Sequence, residues 1–261
     1  MGVGSWELEV DIITSVFPPE AELPAPAPAT LPVERVLALI EVILCSGFPT
    51  QLLIVGMLTA LGMPAQTSEG GISPHFLFAV SLLDATLVIG LIGTLLRSHQ
   101  ESVRDVLIGR GRVLREVMVG FALIPLVFMV VVAILALVLT FAPHLHNVIK
   151  NPLEGMLQTR LDAAIFAVVV MVAGGVREEV QRGFIVHRFE GFLGGGLFGV
   201  LLYGVLFGLG HFEQGWDASL ATGSLGVLWG LVYLRRRSII APVVSHAGFN
   251  LAQVVKAVAL R

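Results

Sequence analysis

Seven apolar runs occupy most of this 261-residue chain: 35–61, 75–96, 117–142, 161–184, 193–212, 219–234 and 239–260. A helix needs roughly twenty residues to cross the ~30 Å hydrocarbon layer of a bilayer. Every backbone amide in lipid must be satisfied inside the protein, so runs of this length are helices. Six glycines (Gly194, Gly195, Gly196, Gly204, Gly208 and Gly210) dilute the fifth run, and the sixth is short. Glycine is common in membrane helices, where it lets backbones approach, so neither run is discarded. Charged residues make up 13% of the chain, against roughly 25% in soluble domains. The expectation is an all-α, polytopic transmembrane helical bundle of about seven spans, six to eight.

The net charge of −3 and the lack of a basic face give no sign of a nucleic-acid partner; lipid is the expected surroundings. Cys45 is the single cysteine, which excludes an intrachain disulfide and reads as a packing residue. Residues 1–33 form an acidic, then Pro/Ala-rich tail with Glu7, Glu9 and Asp11 followed by Pro18, Pro19, Pro24, Pro26 and Pro28. It lacks the basic start and apolar core of a signal peptide and reads as poorly ordered. Trp6, Leu8, Val10, Ile12 and Ile13 offer a short amphipathic contact within it. Transmembrane helices follow over 34–150, and a chemistry-bearing core over 151–261.

Basic residues alternate between connections. Arg97, Arg104, Arg110, Arg112 and Arg115 follow the second run, Arg177, Arg182 and Arg188 lie around the end of the fourth, and Arg235, Arg236 and Arg237 precede the last. Residues 62–74 hold no Lys or Arg. The positive-inside rule then places the amino terminus and all three clusters in the cytoplasm.

Three polar constellations interrupt the apolar runs: Arg177, Glu178, Glu179 and Arg182; Phe207 and His211; His246 and Asn250. An ionisable group at such depth costs roughly 2.5–3.5 kcal/mol on insertion scales and persists chiefly where function needs it. Adjacent on a helix, Glu178 and Glu179 point about 100° apart and cannot share one role. Glu178 and Arg182 stand at i and i+4, where an ion pair would ease both charges. A desolvated carboxylate holds a proton more readily, which suits a general base near neutral pH. His246 and Asn250, one turn apart, can offer two donors to a developing oxyanion or hold a metal or water. His75, His99, His144, His146 and His187 fall at run ends or connections and read as interfacial.

Depth sets a constraint. His246 lies about 13 Å in from Arg237, whereas His211 lies roughly 20 Å from the start of its run. Straight helices would not bring Glu178, His211 and His246 to one level. Breaks at Gly174 and Gly175, or at 194–196, around a water-filled cavity would.

Glu178-Glu179 with Arg182-Gly183, then Phe207 and His211, then His246 and Asn250, resembles the CPBP family of intramembrane proteases, also called type II CAAX prenyl endopeptidases. The run from Leu228 through Trp229 and Tyr233 to Ser245 and His246 is similar to the family's approach to its last motif. The resemblance covers about 161–255. It implies an endopeptidase acting on a membrane-bound or prenylated peptide, in an integral membrane protein of the bacterial plasma membrane. A motif glutamate would activate water, His211 would help hold it, and His246 with Asn250 would stabilise the oxyanion. Glu179, Arg182 and Phe207 would support them. The family is often called metalloprotease, so zinc held by His211 and His246 with a carboxylate stands beside a metal-free site. The family spaces its Glu pair and Arg by three residues, whereas Val180 and Gln181 alone intervene here. Anchored on Arg182, Glu178 matches the second family glutamate and Arg177 the first. Anchored on the Glu pair, Glu178 is the base, with Glu179 its rival.

Two other classes fit a charged membrane core. One is a non-catalytic interaction protein of the bacteriocin self-immunity kind. The other is a small transporter with a proton or ion relay, against which stands the lack of an obvious inverted repeat.

Overall fold

The computed structural model describes residues 31–68, 70–148, 155, 157 and 159–259. The tail reading, including its amphipathic contact, falls outside them apart from its last three residues. Helices α1 (Pro32–Leu44) and α2 (Phe48–Ala60) meet at a 41° bend. The bend uses Gly47 at φ 84°, where a side chain would collide with the Arg177 guanidinium. Helix α3 (Pro74–Ser98) starts from Ser73, whose side chain accepts from the Phe76 amide, with Pro74 in the first turn. Helix α4 is Val113–Phe141. Helix α5 (Arg160–Val169) opens on a reciprocal Thr159–Asp162 capping box. It runs through a π-helical stretch, Val170–Arg177, into α6 (Glu178–Phe192). Then come α7 (Gly196–Leu209), α8 (Trp216–Arg236) and α9 (Ile240–Ala259). Among the described residues there is no strand, only an isolated bridge between Gln66 and Ile72.

The helical expectation holds; the count of about seven spans is not confirmed. Three helices, α3, α4 and α8, are long and apolar enough to cross a membrane, or four if bent α1–α2 is one span. The fourth run is divided among α5, the π stretch and charged α6. Helix α7 has 14 residues, about 21 Å, short of the hydrocarbon thickness. Helix α9 carries Ser245, His246, Asn250, Gln253 and Lys256 among its apolar residues.

The bundle wears its apolar residues outside. Along α4, Leu114, Met118, Phe121, Met129, Val132 and Phe141 are exposed, while Glu116 beside them is buried. That inversion suits lipid, since continuous apolar surface on this scale is rare in soluble monomers. Helices α7 and α8 touch through small residues. A Cβ on Gly208 would lie 2.6 Å from the Ser219 carbonyl oxygen and 2.9 Å from Gly223 Cα.

Ion pairs tie one end of the bundle together. Arg236 is bidentate on Glu116 (2.6 and 2.7 Å), joining α8 to the start of α4. Arg188 reaches Glu41 at 2.5 Å and Glu101 at 2.7 Å, and His99 reaches Glu41 at 2.6 Å. Arg237 pairs with Glu190, and its hydrogen bonds hold that carboxyl below the usual carboxylate range. The Ile239 amide donates to the Leu107 carbonyl (2.8 Å) and the Tyr233 hydroxyl to that of Val106 (3.0 Å). The connection after α3, the end of α6 and the α8–α9 turn therefore share one end.

Overpacking the α7–α8 contact is expected to be costly. Gly208→Ala should destabilise by about 1–3 kcal/mol, read as a lower Tm in detergent. Gly90→Ala, on α3 with nothing near its would-be Cβ, should leave Tm unchanged or raise it.

Candidate active site

The π-helical stretch holds Gly174 and Gly175 where α9 presses closest. A Cβ on Gly174 would lie 2.6 Å from Asn250 Nδ2, and one on Gly175 2.7 Å from the Ala247 Cβ. Side chains at either position would hold α9 away from the π stretch. The wide turn also leaves the Val170 carbonyl to accept from Asn250 Nδ2 at 3.3 Å. π-Helical turns recur at functional sites, where the extra residue re-aims the side chains of the next turn. In this chain the next turn begins with the Glu pair.

The two glutamates part company. Glu178 lines a cavity of about 580 Å³, with His211, His246 and Asn250 on the same wall set. Glu179 lies behind that wall, 1% exposed, paired with Arg182 and 2.8 Å from His246 Nδ1. Its Oε1 already accepts from Arg182, so it accepts from the ring as well, and the imidazole donates through Nδ1. His246 Nε2 is left toward Glu178, 3.7 Å from Oε2. The expected Glu178–Arg182 pair is not formed; Arg182 turns to Glu179 at i+3.

Aromatic rings account for that turn. The Arg182 guanidinium sits 4.8 Å from the Phe207 centroid, 5.4 Å from Trp229 and 5.5 Å from Tyr203. Its Nε and Nη2 have no hydrogen-bond acceptor and lie among these rings. A desolvated cation–π contact is worth about 2 kcal/mol or more. Trp229 also stacks on His246, centroids 3.8 Å apart at 17°, and donates its indole N–H to Ser245 Oγ at 3.0 Å. His246 is thus fixed by a carboxylate at one edge and an indole on one face.

His211 follows the last turn of α7. Its Nδ1 is 2.8 Å from the Phe207 carbonyl, which can only accept, so Nδ1 carries the hydrogen and Nε2 is free. The Phe207 ring meets it edge-on at 4.8 Å. Phe207 thereby touches both Arg182 and His211.

A metal set does not form. No three His, Cys, Asp or Glu side chains among the described residues are arranged to hold an ion. A catalytic zinc takes three protein ligands, which His211, His246 and Glu178 do not supply in this arrangement.

Other sequence-marked residues lie elsewhere. Arg177 pairs with buried Asp84 on α3 at 2.5 Å. His99, His146 and His187 lie within hydrogen-bond distance of Glu41, Asp217 and Glu101. Cys45 is a buried free thiol. Reading the residues alone assigned no role to Trp229, Ser245 or Gln181. Gln181, 1% exposed, donates to the Cys45 carbonyl at 2.6 Å and accepts from the Tyr203 hydroxyl at 2.9 Å. The one available signal was a polar side chain a turn from another in an apolar run.

Comparison with known proteins finds one family match, confined to the second half of the chain. The family model described as type II CAAX prenyl endopeptidase Rce1-like matches residues 160–252. No curated protein and no solved structure matches the chain. The matched segment starts with α5 and contains the π stretch, the Glu pair, His211, His246 and Asn250. The match at residues 160–252 is to a type II CAAX prenyl endopeptidase Rce1-like domain, consistent with the wider CPBP family.

Proposed function

We propose that this protein is an intramembrane endopeptidase that hydrolyses a peptide bond of a membrane-associated or prenylated protein or peptide. The observation that carries the reading is that Glu178, His211, His246 and Asn250, drawn from three separate motifs, line one cavity. A scaffold has no use for that convergence, and hydrolysis needs it.

In this reading Glu178 accepts a proton from a water whose other contact is His211 Nε2. The water oxygen bonds to the peptide carbonyl carbon, and the carbonyl electron pair moves onto its oxygen. That oxyanion is met by the Asn250 amide, whose second N–H is not used on Val170, and by His246 Nε2–H while the ring holds both protons. Collapse breaks the C–N bond, and Glu178 returns its proton to the departing amine. Glu179, Arg182 and Trp229 act through His246: they hold the ring rather than touch substrate. No step requires a metal.

The test is cleavage by the purified protein in detergent, using quenched prenyl-peptide and transmembrane-peptide substrates. Glu178→Gln, His211→Ala and His246→Ala should each abolish turnover while the protein still inserts and folds. Asn250→Ala should slow it by about 10²–10³-fold, the usual loss of one oxyanion donor. His99→Ala and His187→Ala, whose partners lie at the ion-paired end, should leave it nearly intact. Wild-type turnover by the His211 or His246 variant would overturn the assignment. Turnover should also persist with a strong zinc chelator.

A further inference from the structure

The cavity reaches only one end of the bundle. From Glu178 and His246 its walls continue through Phe166, Gln253 and Lys256 to Leu77, Ser81 and Gln214. These belong to the early turns of α3, the body of α5, the turn before α8 and the late turns of α9. Toward the other end the packing is closed. Ile92, Leu96, Phe184, Phe189, Tyr233 and Ile239 form the main core cluster there, each buried. Glu178 stands ten residues, about 15 Å, before Arg188, and that interval is filled by this cluster.

The two ends differ in charge. The closed end gathers Arg97, Arg104, Arg110, Arg112, Arg115, Arg188, Arg235, Arg236 and Arg237, joined through the ion pairs of Arg188, Arg236 and Arg237. At the open end, residues 61–73 and 210–215 contain no Lys or Arg; Lys150, Arg160, Lys256 and Arg261 are the cations near it in sequence. Acidic partners do not cancel this asymmetry, because Asp and Glu contribute little to orientation. Lys and Arg hold their loops in the cytoplasm.

We propose that the cavity opens on the non-cytoplasmic face and draws its substrates from that side, as peptide segments inserted in or anchored to the outer leaflet. A lipidated tail completed in the cytoplasm would meet the closed, arginine-rich end. As a statement about substrates this rests on the protease reading; as a statement about the cavity it does not.

Two measurements keep those apart. Single cysteines are placed at the open end (Glu213→Cys, and separately His144→Cys) and at the closed end (Ser98→Cys, and separately Val113→Cys), all exposed positions that leave every Lys and Arg in place. Wild-type protein, whose Cys45 is fully buried, is the blank. In intact cells a membrane-impermeant maleimide should label Glu213→Cys and His144→Cys, and should label Ser98→Cys and Val113→Cys only after lysis. The reverse pattern, or equal labelling of the two ends, overturns the proposal. The second measurement adds an impermeant quenched apolar peptide to intact cells, where wild type should cleave it and Glu178→Gln should not. Open-end labelling without cleavage of any peptide, before or after lysis, would sink the protease reading and leave the orientation standing. Cleavage appearing only after lysis overturns the substrate side.

Discussion

A single buried guanidinium organises this protein. Arg182 is 1% exposed in a bundle whose outside is apolar, and a lone charge there would cost several kcal/mol. Glu179 neutralises it, and three rings from α7 and α8 enclose the nitrogens that no oxygen reaches. Three of those partners have a second task. Glu179 takes the His246 Nδ1–H, Trp229 stacks on the same imidazole, and Phe207 offers its carbonyl to His211. Satisfying one charge therefore fixes both histidines. Lysine could not substitute, because its ammonium offers no planar group to lie among rings.

That arrangement divides labour between two adjacent carboxylates. Glu179 is consumed by structure, which leaves Glu178 as the acidic side chain on the cavity wall. The π-helical stretch makes the division, since it sets the rotation of α6 relative to α9. Its two glycines admit Asn250 and Ala247 to a distance no side chain would allow. Packing and chemistry are the same constraint here: to fill Gly174 is to displace Asn250.

The helical class and the three motifs were legible because both follow from composition and short spacing. Membrane runs announce themselves by length, and charges inside them announce a use. The depths that straight helices would give His211 and His246 called for a break at Gly174 and Gly175 or at 194–196; the first is a π-helical stretch in a continuous helix and the second the turn between α6 and α7. What the sequence left open was rotational. Arg182 stands at i+4 from Glu178 and i+3 from Glu179, and either pairing satisfies a helix; rings on α7 and α8, distant in sequence, decide it. Trp229 was hidden for the same reason, as one more aromatic in an apolar run. The count of about seven spans rested on hydropathy alone. It met a bundle in which one run is split by a π stretch, one is a 14-residue helix and one carries His246, Asn250 and Lys256 among its apolar residues.

The central claim is that one glutamate of the pair meets water and the other is locked behind an imidazole. Carboxyl modification measures this directly: the folded protein in detergent is treated with a water-soluble carbodiimide and an amine nucleophile, then mapped by mass spectrometry. Label on Glu178 and none on Glu179 is the expected result. Label on Glu179 with Glu178 protected, or equal label on both, would contradict it.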